Sequence, residues 1–73
     1  MLEQHLALAE EHVALGERHI ARQRELVAEL DKAKHDTVEA RQLLVLFEEA
    51  QQQHLSHRHR LLSELAAHVS EAE

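Results

Sequence analysis

A single break, Lys34-His35-Asp36-Thr37, interrupts a chain that is otherwise patterned for helix from end to end. Proline, the strongest helix breaker, is absent, and Gly16 is the only glycine, so no other point forces a reversal. Asp36 or Thr37 can cap a new helix, and Glu39 stands three residues after Asp36, the spacing of a capping box. Lys32 and Lys34 suit the electronegative end of the helix before it. The expected fold is therefore all-α, one unit over residues 1–73: helix 2–33, turn 34–36, helix 37–71. The arms are nearly equal in length, as two long antiparallel helices in a helical hairpin require.

In the first arm a seven-residue repeat puts Leu6, Val13, Ile20 and Val27 in one line and Leu2, Ala9, Gly16, Gln23 and Leu30 in the next. His5, His12, His19, Leu26 and Ala33 form a third line, with Leu8 and Leu15 on its flank. At 100° per residue these lines are neighbours and make one broad face, with the three histidines near its middle. A glycine inside a helix costs about 1 kcal/mol relative to alanine, so Gly16 points to close approach of another helix or to a large group opposite. The histidines are expected to be core or boundary residues with satisfied hydrogen bonds. Spaced by seven, they lie about 10 Å apart along a helix and cannot together hold one ion.

In the second arm Ala40, Phe47, His54, Leu61 and His68 form one line and Leu44, Gln51, Arg58 and Leu65 the next. Gln51, His54, His57 and Arg58 interrupt the middle of that face. A fold at residues 34–36 brings His12 near Arg58, Gly16 near His54 and His19 near Gln51. The expectation is a central polar layer in a helical core, with Gln23, Gln51 and Arg58 as its members beside the histidines. Burying such groups costs several kcal/mol unless they are paired. The layer can serve as a register-fixing hydrogen-bonded set, as core polar residues do in coiled coils. It can instead be a wet groove or a ligand site. As a ligand site it would hold an anion on Arg58 and protonated histidine, or a transition metal (Zn²⁺, Ni²⁺ or Cu²⁺). His54 and His57, three apart, can share an ion that His12 or His19 completes. No strong metal motif is present, and Arg58 opposes a cation.

Thirteen leucines, five valines, one isoleucine and one phenylalanine are more than two helices can cover. Small scaffolds without staples associate, and the economical assembly is a homodimer of hairpins, a four-helix bundle. The first segment lacks a basic and apolar leader. The longest large-apolar run, Leu43 to Phe47, is far short of the roughly 20 residues that span a bilayer. There is no cysteine, which fits a reducing compartment and excludes a thiolate site. A cytoplasmic location is expected. With a formal charge of −6 and no basic block, neither nucleic acid nor anionic membrane is an expected partner. Eight protonated histidines would outweigh that charge, so its sign changes in mild acid.

The segments Leu8-Ala-Glu-Glu-His-Val-Ala-Leu-Gly-Glu-Arg-His-Ile-Ala-Arg-Gln-Arg and His35-Asp-Thr-Val-Glu-Ala-Arg-Gln-Leu-Leu resemble short, uncharacterised bacterial helical-hairpin proteins, a group with no known activity. The resemblance covers most of the chain. It implies a natural helical protein of bacterial type and a whole gene product, and no residue role follows from it. No cysteine nucleophile, glycine-rich phosphate loop or serine–histidine–acid set is apparent, so no enzyme is expected. The leading expectation is a small non-enzymatic oligomerisation or protein-interaction module without a cofactor, its partner a second copy or another protein. The alternatives are a metal-binding bundle through His12, His19, His54 and His57, for sensing or storage, and a histidine-driven pH-responsive assembly.

Overall fold

The computed structural model describes the backbone of residues 2–72, with side chains through residue 69; residues 1 and 73 of the expected unit lie outside the described residues. Two helices, α1 (Leu2–Lys32) and α2 (Val38–Ala72), pack side by side as a helical hairpin. The molecule is a rod of 61 × 14 × 13 Å with a radius of gyration of 17.1 Å. A compact globule of this length would have about 11 Å, so very little of the chain is inside anything.

The seam follows a three-and-four spacing. In α1 it runs Leu2, Leu6, Ala9, Val13, Gly16, Ile20, Gln23, Val27, Leu30; each of these is buried or half-buried, and every other described residue of α1 is exposed. In α2 it runs Ala40, Leu44, Phe47, Gln51, His54, Arg58, Leu61, Leu65, with Glu48 and Leu55 half-covered at its edge. This is the spacing that keeps two helices in contact over their whole length. Two adjacent lines of α1 thus make the seam and the third is left outside. His5, His12 and His19 are exposed, not near the middle of a buried arc. The small and β-branched residues of the other two lines let the α2 backbone come close, and the partner helix settles there.

The reversal is built by three backbone hydrogen bonds. His35 N–H donates to Leu30 O at 2.8 Å and Lys34 N–H to Asp31 O at 3.0 Å, the paired bonds of a Schellman motif, with Lys34 in the left-handed region at φ 62°. Arg41 N–H then donates to Thr37 O at 2.9 Å, which makes Thr37 the N-cap of α2. Asp36 acts one position outside the cap: its Oδ1 accepts from Val38 N–H at 3.0 Å. Thr37 Oγ1 accepts from Arg41 Nε at 3.0 Å.

Residues 35–37 are not helical. Non-helical chain advances up to about 3.3 Å per residue against 1.5 Å in a helix, so the connection runs back along the last turn of α1 before α2 begins. The pairing across the seam is displaced accordingly by about one helical turn from a symmetric fold at 34–36. His12 meets His54 instead of Arg58, Gly16 meets Gln51 instead of His54, and His19 meets Phe47 instead of Gln51. In the first turn of α1, a hydrogen bond with the backbone and then the chain's positive terminus hold the Glu3 carboxyl below its usual range.

Candidate functional site

The polar groups of the seam form two clamps that run in opposite directions. Gln23, on α1, donates from Nε2 to the Ala40 carbonyl of α2 at 2.9 Å. Gln51, on α2, donates from Nε2 to the Val13 carbonyl of α1, also at 2.9 Å. Both acceptors sit inside helices, where a carbonyl oxygen retains a second lone pair after its helical bond. Both glutamines are buried, at 7% and 6% exposure, and no buried side-chain nitrogen or oxygen among the described residues lacks a partner. Arg58 is only half-buried. The expected single layer of Gln23, Gln51 and Arg58 is thus two separate glutamine clamps, with Arg58 at the rim.

Gly16 explains the seat of the second clamp. A Cβ on residue 16 would overlap the Gln51 Oε1 and lie 2.7 Å from its Cδ. The carboxamide occupies the space that every other residue type would fill.

The clamp also fixes the state of a histidine. Gln51 must turn its NH₂ toward the Val13 carbonyl, because the reverse orientation would oppose two oxygens. Its Oε1 then faces His54 Nδ1 at 3.2 Å. That nitrogen must carry the proton, which leaves His54 Nε2 with a free lone pair in the neutral ring. The His12 ring stands beside it, centroids 5.7 Å apart and planes tilted by 39°. His54 is half-buried and His12 exposed, so the pair opens to solvent on one side of the rod.

The other two histidines expected at a metal site are engaged elsewhere. His19 packs on Phe47, with ring centroids 5.8 Å apart. His57 is exposed, and its Nδ1 accepts from Arg60 at 3.0 Å. Among the described residues no group of three or more histidine or carboxylate side chains is placed to hold a metal.

The side of the rod that carries His12 and His54 also exposes large apolar residues. His5, Leu8, His12, Leu15 and His19 succeed one another at steps of three and four, a second stripe beside the seam. Leu8 is 52% and Leu15 43% exposed. The stripe continues to Leu26, beside a groove of about 600 Å³ bounded by His19, Arg22, Gln23, Glu25, Leu26, Glu29 and Phe47. Leu43 and Leu46, also exposed, extend the face onto α2. The opposite edge of α1 carries Glu3, Glu10, Glu17, Arg24 and Asp31 at intervals of seven. There Arg24 pairs with Glu48 across the helices at 3.6 Å. Val38, Val45, Leu62 and Val69 are exposed on α2 away from the stripe.

Residue-by-residue reading of the sequence gave Leu8 and Leu15 only as a flank and missed both clamps. The signal for them was present: the three-and-four spacing runs unbroken through Gly16 and Gln23, which marks those two as seam positions. No described helix is long and apolar enough to cross a membrane. No protein-family model, curated protein or solved structure matches the chain. The functional reading therefore rests on the geometry of the clamps, the histidine pair and the apolar stripe.

Proposed function

We propose that the chain is a small non-enzymatic self-association module, two hairpins joining about a two-fold axis as a four-helix bundle. One observation carries this. Among the described residues the buried apolar core consists of Ala9, Val13, Val27 and Leu61, with no large side chain fully buried, while nine large hydrophobic residues are exposed. Two helices with so small a core do not offset the entropy of ordering the chain. A second copy supplies the missing apolar contact at no cost in new sequence.

The His5-to-Leu26 side is the face that fits a second copy. Its stripe is nearly palindromic about His12: His5 and His19 stand seven residues to either side, with Leu8 four residues before it and Leu15 three after. An antiparallel two-fold through His12 places leucine near leucine and histidine near histidine, as an isologous interface requires. A side 61 Å long and 14 Å broad projects roughly 850 Å², close to the 800 Å² or so that each partner buries in a standard stable interface. The acidic edge of α1 would bring like charges together instead.

Sedimentation equilibrium of the untagged chain at micromolar concentration tests the reading. The expected result is a dimer, and a Leu8→Glu/Leu15→Glu double variant is expected to be monomeric and to lose much of its helicity. A wild-type chain that is monomeric and fully helical at these concentrations would refute self-association and assign the face to a different protein.

A further inference from the structure

We propose, resting on that self-association, that His12 and His54 form half of a transition-metal site, which the same pair of a second copy completes across the two-fold axis. The ion this donor set selects is Zn²⁺.

Zinc binds imidazole nitrogen at about 2.0–2.1 Å, so two imidazoles on one tetrahedral ion have ring centroids roughly 5 Å apart. The His12 and His54 centroids stand 5.7 Å apart. Exposed His12 has room to close the difference, while His54 is held.

What holds His54 is the stronger observation. A metal-binding histidine needs one nitrogen unprotonated and the other N–H anchored on an oxygen, and such outer partners set both the tautomer and the ring orientation. Here the Gln51 Oε1 accepts from His54 Nδ1, and Gln51 is itself anchored on the Val13 carbonyl. The relay thus presents Nε2. It is also built at a cost, because Gly16 must lack a side chain for the carboxamide to sit there. A glutamine that only fixed register would require the clamp on Val13 and no histidine beside it. Gln23 is such a case: its clamp on Ala40 has no ring partner.

One chain supplies two donors, and a closed tetrahedral site needs four. The stripe's near-palindrome centres on His12, so the axis that buries Leu8 and Leu15 also passes the histidine pair. Two copies then bring together four neutral nitrogens. Such a set favours zinc, copper and nickel over magnesium or calcium, and a tetrahedral arrangement of the four nitrogens about the two-fold axis would select zinc among the first three. The half-buried Arg58 lies one turn along α2 from His54 and weakens the site without blocking it.

The test is a titration of untagged full-length chain with ZnCl₂ alone, followed by calorimetry and native mass spectrometry, with a parallel sample in EDTA. The expected result is a dimer in both samples and one Zn²⁺ per two chains when the metal is supplied. His12→Ala and His54→Ala should each weaken binding at least tenfold, and His57→Ala should leave it unchanged. Gln51→Leu keeps both ligands but removes the orienting oxygen, and should weaken binding about tenfold or more; circular dichroism of each variant checks that the helices persist. A dimer that binds no Zn²⁺ at 100 µM, or binds it equally well in the His12→Ala and His54→Ala variants, overturns the site and leaves self-association standing. A monomer in both samples overturns self-association and the shared site with it.

Discussion

Replacing Gly16 by alanine should destabilise the hairpin, although helix propensity alone predicts the opposite. In an exposed helix interior the change from glycine to alanine gains about 1 kcal/mol. At this position the new Cβ would overlap the Gln51 Oε1, lie 2.7 Å from Cδ and 3.3 Å from Nε2. The carboxamide must leave. Its bonds to the Val13 carbonyl and to His54 go with it, each contributing about 0.5–1.5 kcal/mol. A glutamine left buried without partners costs a further 1–3 kcal/mol or so. The losses exceed the gain, so Gly16→Ala should lower stability by about 1–5 kcal/mol. The same substitution in a Gln51→Ala background meets no carboxamide and should raise stability by about 1 kcal/mol. The assay is urea unfolding followed by circular dichroism at one fixed protein concentration, since an associating chain has concentration-dependent stability. The double-mutant cycle should give a coupling of about 2–6 kcal/mol. A Gly16→Ala protein more stable than wild type would refute the claim that the glycine exists to seat Gln51.

Two further outcomes follow from the turn and the stripe. Lys34 adopts φ 62°, where a β-carbon is unfavourable, so Lys34→Gly should stabilise the chain by about 0.5–1 kcal/mol in the same unfolding assay. His5, His12 and His19 lie on the side assigned to the second copy, and His19 lines the neighbouring groove with Arg22, Glu25 and Glu29. A His5→Glu/His12→Glu/His19→Glu variant places like charge on both sides of the axis, so its dimer dissociation constant should exceed that of the wild type at the same pH. A dissociation constant unchanged by the substitutions would remove the histidines from the interface.

The hairpin was legible because its determinants are local. Lys34 to Thr37 is the one place where a capping residue follows the end of the repeat, and the Schellman bonds and the Asp36 and Thr37 contacts form there. The register was not legible to within a turn. It depends on how far the non-helical residues 35–37 carry the chain back along α1, which the residue types alone do not specify. The histidines were misplaced for a related reason. An apolar arc of three lines has a geometric middle, but the partner helix packs where small side chains admit its backbone. Ala9 and Gly16 moved the seam to one edge of the arc and left His5, His12 and His19 outside it.

That displacement separates two tasks that the sequence seemed to combine. A buried polar layer of histidine, glutamine and arginine would have had to fix register and bind a ligand with the same atoms, and a protonation event would have threatened both. In the structure register is held by amide donors on backbone carbonyls, Gln23 on Ala40 and Gln51 on Val13, and amides do not titrate. Because the two clamps point in opposite directions across the seam, sliding α2 along α1 either way breaks both. The histidines therefore hold neither clamp on a backbone carbonyl. Gln51 alone belongs to both systems, one end of its carboxamide on the α1 backbone and the other on His54. A change at His12 or His54 should consequently reach the association face without removing either clamp on a backbone carbonyl, and only a change at Gln51 or Gly16 should disturb clamp and histidine together.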